Sequence, residues 1–441
     1  MAKYDLFFKL AKEAGIEEAE LYIGESRSLS ISLFHGEIDK YSDNNGYTIL
    51  ARGMINGKFG TASCDVWSKE KAAYLAKEIA ANAKVIENED PMFIFEGSPK
   101  YKKVNSFNAE LSKVSIEEKI AKLHEFEDKL RNYDPRIVEI GMIEFEESEE
   151  RITLLNSKGL KLAHKSNYFI YVGQAVASDG KQTKSGFDYM LGNDFAKFDI
   201  DKLVEKVGKA TVDQLGGDPC NTGTYRAVLA PDVVRSFMFA LIGHVDAEEV
   251  QKQSSLFIGK LGQKVLSRKI TIEDRPLERT VFARWFDDEG VATYNKPIFK
   301  NGVLQTYLYN LTTAAKDGVQ STGNGYRAGG KMGTSSSYLV LKPGKKSEEE
   351  LFKEVGEGVY ITDVSGIHAG LNEQSGNFSL QSTGYLIKDG KRDRPLDIIT
   401  VSGNLLEIFQ DAMEVGSNLE ASYSGVAAPS LLIKKIAVSG K

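Results

Sequence analysis

The tetrapeptide Gly216-Gly217-Asp218-Pro219 stands near the midpoint of the 441-residue chain and limits what that chain can become. Glycine loses the most backbone freedom on ordering and proline brings no amide donor, so neither a helix nor a central strand runs through this point. A domain boundary is therefore expected here, with an N-terminal unit of residues 1–217 and a C-terminal unit of residues 218–441. The length agrees, because single hydrophobic cores stop growing at about 250–300 residues.

Before the boundary the pattern reads helix, strands, helix, then the same again. Leu6, Phe7, Leu10 and Ala11 give the first helix an apolar face. Ala19, Leu21 and Ile23, and then Leu29, Ile31 and Leu33, alternate as half-buried strands do. His35-Gly36-Glu37 reads as a turn, Tyr47–Ala51 and Lys58–Cys64 as further strands, and Trp67 to about Ile86 as a helix. A polar connection, Glu87–Asn105, carries Asp90-Pro91 and Ser98-Pro99 and marks a subdivision near residues 88–110. A helix at Ser115–Arg131 precedes strands at Arg136–Phe145, Arg151–Leu155, Lys161–His164 and Tyr168–Ala177, and a helix at Asp201–Leu215 closes the unit. The acidic run Glu144–Glu150 reads as a solvated strand end or loop.

After the boundary, Tyr225–Leu229 reads as a strand and Pro231 as the first residue of a helix. From Ile270 onward strands dominate: Val303–Tyr309, Ser337–Leu341, Gly358–Val364 and Phe378–Lys388 fit a large antiparallel sheet with glycine turns. The predicted fold class is α+β, an N-terminal helix-and-antiparallel-sheet domain followed by a strand-rich C-terminal domain.

Bulk chemistry removes several functions. There are 56 Lys and Arg against 62 Asp and Glu, a net charge of −6, which disfavours general nucleic-acid binding. Cys64 and Cys220 are too few for a disulfide framework or a cysteine-based zinc site. No apolar run is long enough to cross a membrane, and the N-terminus lacks the apolar core of a signal peptide. The expected setting is cytoplasmic, with no membrane and no nucleic-acid partner.

Local motifs give little chemistry. Gly325-Tyr-Arg-Ala-Gly-Gly-Lys331 matches phosphate-loop spacing, but Met332 stands where a magnesium-binding Ser or Thr belongs, so it reads as a mobile glycine-rich loop. The five histidines are scattered, and no two lie one helical turn apart as a zincin requires. The nearest approach is His244 with Glu248, four apart on the helix that starts near Pro231. Val234, Phe237, Met238, Leu241, His244 and Val245 form the inward stripe of that helix, so His244 reads first as a hydrogen-bonded residue at the end of a buried face. No nucleophile elbow is present, and the serines of Ser335–Ser337 and Ser422–Ser424 suit loops.

Several segments, taken in order, resemble the TldD/PmbA family. They are Ser254–Val265, Asp287-Asp-Glu-Gly290, Lys300–Leu304, Ser321-Thr-Gly-Asn-Gly325, Ser375–Ser379, Gly384–Gly390 and Gly403-Asn404. The resemblance implies one of two branches that pair as a heterodimer. The TldD branch is similar to a zinc peptidase with a His-Glu-x-x-x-His helix, cutting short or unfolded peptides; the TldE/PmbA branch lacks that motif and is regarded as the non-catalytic partner. Counting back without gaps from Ser255–Gly259, Met238, Phe239 and Gly243 occupy the motif positions, with His244 one residue out of register. The resemblance thus implies a TldE/PmbA-type subunit with no cofactor and no metal ligands of its own. Its partners would be a TldD-like zinc peptidase subunit, peptide substrates and, when alone, a second copy of itself. Ser321, Thr322, Gly323 and Asn324, with Phe378 and Ser379, are the candidates for lining a peptide chamber. Two rival readings stand beside this one. The first is an autonomous metal-dependent hydrolase using His244 and Glu248 with distant ligands; the second is a peptide-binding regulator, in line with the family's label as a modulator of DNA gyrase.

Overall fold

The computed structural model describes residues 2–86, 90–328 and 331–441. Its first half is built on one six-stranded antiparallel sheet, ordered β3-β2-β1-β4-β5-β6. The strands are β1 (Glu18–Phe34), β2 (Glu37–Ile55), β3 (Lys58–Cys64), β4 (Ile137–Asn156), β5 (Lys161–Ser178) and β6 (Thr183–Gly192). Side chains alternate across a strand, and in β1 the odd positions Leu21, Ile23, Leu29, Ile31 and Leu33 are buried under helices. Those helices are α1 (Asp5–Glu13) and α2 (Lys69–Val85) at one end and α3 (Ile116–Arg131) and α4 (Ile200–Val212) at the other. Serine caps begin two of them: Ser68 Oγ accepts from the Lys71 amide and Ser115 Oγ from the Glu118 amide. The opposite face of β1 presents Glu20 and Tyr22 to the second half of the chain.

The second half comprises β7 (Gly223–Leu229), α5 (Pro231–Gly243), α6 (Ala247–Gln251), β8 (Ile272–Asp274), β9 (Lys296–Lys300), β10 (Val303–Leu304) and α7 (Leu311–Asp317). It continues with β11 (Gly325–Ala328), β12 (Lys331–Thr334), β13 (Leu339–Leu341), α8 (Glu348–Val355), β14 (Gly358–Ser365) and α9 (Ile367–Gly370). Last come β15 (Asn377–Lys388), β16 (Lys391–Asn404), α10 (Leu405–Gln410), β17 (Ala412–Val415), β18 (Glu420–Ala421), β19 (Val426–Ala428) and β20 (Leu431–Ser439). One sheet is ordered β16-β15-β14-β7-β20-β17, and a further pairing of β16 with β20 closes five of its strands into a ring. The other runs β10-β9-β8-β13-β19-β18. Helix α5 is held between them: Val233, Val234, Phe237, Met238 and Leu241 share one core with Ile272, Phe299, Leu339, Val359 and Leu431. Complete burial of each such side chain contributes about 1.5–3 kcal/mol.

The α+β class and its strand-rich second half are as the sequence predicts. Four expectations are corrected. The segments Arg136–Phe145 and Arg151–Leu155 are one strand, so the acidic run Glu144–Glu150 lies inside β4 and not at a strand end or loop. It is tolerated there because Lys119 and Lys165 each sit 2.7 Å from one of its carboxylates, Glu147 and Glu149, and Ser30 donates to Glu144. The C-terminal strands form two mixed sheets with parallel pairs β7–β14 and β13–β19, not one antiparallel sheet. Val303–Tyr309 is a strand only at Val303–Leu304, because Leu308 turns away to bond with Val245. The glycine-rich stretch is not a loop throughout, since Gly325–Ala328 (β11) pairs antiparallel with Lys331–Thr334 (β12); residues 329–330 lie outside the described residues.

Candidate functional site

Pro231 starts α5 and the helix stops at Gly243, three residues before Asp246 caps α6. His244 and Glu248 therefore do not share a helix, which corrects the expected one-turn spacing; the chain breaks there because the Val245 and Leu308 backbones pair. His244 is buried, as its stripe predicts. Its carbonyl accepts from Ser255 Oγ at 2.5 Å and its Nδ1 from the Leu256 amide at 3.5 Å. Burial lowers its pKa against the opposing charges of Glu373 and Glu249, which favours the neutral ring. Glu248 points elsewhere and pairs with Lys252 at 2.5 Å, while Glu249 accepts from Ser254 Oγ. Of the motif positions, Met238 is fully buried in the core and Phe239 is 67% exposed. A zinc site needs at least three protein ligands converging on one point. Among the described residues no group of three His, Cys, Asp or Glu is placed to hold a metal, and the side chains around α5 do not fit one.

The candidate loop 321–324 lies across the 307–310 segment from His244. Thr322 Oγ accepts from the Tyr309 amide at 2.7 Å and donates to Asn324 Oδ1 at 2.8 Å. Asn324 Nδ2 donates to Asp274 at 2.9 Å and to the Ser335 carbonyl. Gly323 has φ +70°, and a Cβ there would meet the Ala292 carbonyl oxygen at 2.8 Å. Thr322 and Asn324 are thus buried pins, and Ser321 alone of the four lines a cavity, of about 470 Å³, between residues 93–99 and α7. Phe378 faces the core, its ring 4.9 Å from that of Phe237, whereas Ser379 faces outward beside Ser402. The structure does not bring Phe378 and Ser379 into contact with the 321–324 loop by any described hydrogen bond or ring contact.

A denser constellation joins the two halves, and its members are far apart in sequence. Arg52 Nε lies 2.7 Å from Glu20, and Arg327 reaches the same oxygen at 3.3 Å with its guanidinium 4.9 Å from the Tyr22 ring centre. Asp288 accepts from Tyr22 at 2.7 Å, from the Arg327 amide at 2.8 Å and from Arg284. Beside it, Asp287 accepts from the amides of Gly325, Glu289 and Val291, and Glu289 from that of Leu311. Burial would raise the Asp288 pKa, but the Arg284 charge and these hydrogen bonds bring it below the ordinary value. For Glu289 burial and then the charge of Asp287 push the pKa up, and burial raises Asp287 in spite of its three amide donors. The Asp287-Asp-Glu-Gly290 motif is therefore a buried clasp on the first sheet. Sequence reasoning saw the motif but not its partners, because Glu20, Tyr22 and Arg52 look like ordinary polar positions of strands.

Three family models match the chain in succession: PmbA/TldA metallopeptidase domain 1 over residues 19–83, the central domain over 109–215 and the C-terminal domain over 222–440. A Buchnera aphidicola protein named metalloprotease PmbA homolog is 30% identical over 289 residues, 65% of this chain and 62% of that relative. A solved Thermotoga maritima structure, bearing the name of a modulator of a DNA gyrase, is 30% identical with TM-score 0.92 and 99% of both chains covered. TldE from Thermococcus kodakarensis has the same fold, at 23% identity, TM-score 0.92, with 99% of this chain and 100% of that one covered.

Proposed function

Because the chain belongs to the PmbA/TldD metallopeptidase family, we propose that it is a non-catalytic TldE/PmbA-type subunit of a cytoplasmic peptidase complex. Its partner is a TldD-like zinc peptidase, and the complex acts on short or unfolded peptides. One observation carries the reading: α5 offers Met238, Phe239 and Gly243 at the metal-motif positions, and the one imidazole nearby, His244, belongs to no group of three potential ligands among the described residues. The exposed Phe239 on the same helix supports a protein-facing surface there, which in the lone chain pairs with a second copy. Ser321 and Ser379 are the chamber-lining candidates whose side chains remain accessible. The two units part at residues 217 and 218, a division supported by the end of α4 at Val212 and the start of β7 at Gly223. No helix is long and apolar enough to cross a membrane among the described residues.

The test is a peptidase assay of the purified chain, with and without a co-expressed TldD-like subunit, alongside elemental analysis of each preparation. We expect hydrolysis only with the partner present, and zinc only in preparations that contain it. Zinc at one equivalent with peptide cleavage by the lone chain would overturn the proposal in favour of an autonomous hydrolase.

A further inference from the structure

Between the two halves lies a second concave site that the family matches do not assign. Residues 102–107 run as an extended strap past the start of β5, and the space enclosed between them is a cavity of about 930 Å³. A second cavity of about 680 Å³ continues it along Lys158–Leu162, the two sharing Lys103 and Trp285. We propose that this groove binds an acidic peptide segment in extended conformation, carrying an apolar side chain toward Trp285.

Charge is the first argument. Lys102, Lys103, Lys161, Lys165 and Arg279 line the two cavities, while Glu96 is their one carboxylate, on a chain whose net charge is −6. Lys165 shares its charge with Glu149 at 2.7 Å. Lys102, Lys161 and Arg279 are exposed and take part in no ion pair among the described residues, and Lys103 contacts only the Trp285 ring, 5.5 Å from its centre. Such a concentration of unpaired cations in a concave wall favours an anionic occupant.

The second argument is main chain. Strand β6 pairs with β5 only from Phe169 to Ser178, so the Leu162–Lys165 edge has no strand neighbour. The strap is fastened to β5 at one end only, where Ser106 bridges Ser166, its Oγ bonds His164 Nε2 at 3.0 Å and donates to the Lys165 carbonyl at 3.4 Å, and the Phe107 ring centre lies 3.7 Å from Lys165 Nζ, which closes that end of the slot. Opposite, the amides of Lys102, Lys103 and Val104 donate to no acceptor among the described residues. An open strand edge facing a free extended segment is the geometry by which peptides add to a sheet, with main chain giving affinity and side-chain pockets giving choice. Four residues of β5, Lys161–His164, offer about 13 Å of edge at about 3.3 Å per residue. Val104, Leu277 and Trp285 supply the apolar wall between the cations. A phosphate backbone would use the cations and leave that edge unpaired, which is why the occupant is assigned as peptide.

The site does not depend on a catalytic partner, so it is tested on the lone full-length chain. A fluorescein-labelled decapeptide alternating glutamate with leucine is titrated by anisotropy against three controls: the same peptide with lysine for glutamate, an N-methylated acidic peptide, and a single-stranded dT oligomer as competitor. The acidic peptide is expected to bind, and its affinity to fall about tenfold when salt is raised from about 50 to about 500 mM, since exposed charges are screened over a few Å. Lys103→Glu with Arg279→Glu should weaken it at least about tenfold without moving the melting temperature, as both side chains are solvent-facing. The N-methylated peptide should also lose binding. Unchanged affinity in the double variant, equal binding of the lysine or N-methylated peptide, or tighter binding of the dT oligomer would each overturn the assignment.

Discussion

Asp288→Asn is the sharpest probe of the clasp between the two halves. The carboxylate is 2% exposed and takes three donors: Tyr22 Oη, the Arg327 amide and the Arg284 guanidinium. An asparagine keeps one acceptor oxygen and turns the other position into a donor, so one of these bonds becomes a repulsive contact. It also removes the negative charge from Arg284. Breaking a buried ion pair by deleting one partner costs about 3–5 kcal/mol. The Arg284 side chain retains 20% of its surface, so water relieves part of that cost, and about 3 kcal/mol is the expected loss. Urea unfolding followed through Trp285, which packs beside the clasp on Phe286, reads the change. The double variant Asp288→Asn with Arg284→Met removes the orphaned charge and should recover most of the loss, to within about 1 kcal/mol of the parent. A loss below about 1 kcal/mol for the single variant, or no recovery in the double, would refute the view that this pair fastens the halves together.

The raised pKa values of Asp287 and Glu289 set the opposite pH trend: the folded state holds protons that the unfolded chain releases, so their contribution is full below the ordinary carboxylate pKa and is lost as pH climbs through the raised values. Glu289→Gln keeps an acceptor for the Leu311 amide and should flatten the fall in melting temperature between about pH 5 and about pH 8. Asp288 acts the other way, its depressed pKa adding stability that disappears as pH drops below the ordinary range, so Asp288→Asn should blunt acid unfolding monitored by circular dichroism. Gly290→Ala should cost about 2–4 kcal/mol by thermal unfolding, because φ is +86° and the new methyl would lie 2.7 Å from Leu154 Cδ2 and 2.8 Å from Leu160 Cδ2. Phe239→Asp should leave stability within about 0.5 kcal/mol while abolishing co-purification with a TldD-like subunit.

What could be read from the sequence was local. Alternation exposed the strand at Leu21–Ile23 and again at Leu29–Leu33, but the polar residues between them hid that both belong to one 17-residue strand. The same splitting divides β4, where seven residues with five carboxylates read as a strand end or loop; Lys119 on α3, Lys165 on β5 and Ser30 on β1, all from other elements, make a strand tolerable there. The inward stripe of α5 was legible because helical periodicity needs no partner, and all of its apolar members are buried. Its end was not, since the break after Gly243 depends on a pairing with Leu308 more than sixty residues away. Among the site candidates, Thr322 and Asn324 carry chemistry that serves the loop itself, and nothing in Ser-Thr-Gly-Asn-Gly distinguishes a pin from a binding residue. Parallel pairing of β7 with β14 was beyond reach for the same reason: its partner lies on the far side of ten intervening elements.

A family fold that keeps its shape without the metal motif raises a question that α5 answers. If ligand side chains had anchored the helix, replacing them would have loosened the domain. Here the anchoring falls to the inner face, where Val233, Val234, Phe237 and Leu241 are fully buried between two sheets, and to Met238, an apolar side chain at a motif position that fills the same core. The ring of Phe237 against Phe378 ties the helix to β15, and His244 closes its end through backbone partners that any residue with a carbonyl could in part supply. The stability of α5 thus rests on apolar packing of its inner face and on backbone bonds at its end. The outward positions of α5, Phe239 first among them, take no part in that core, so substitutions there leave the packing of the helix intact.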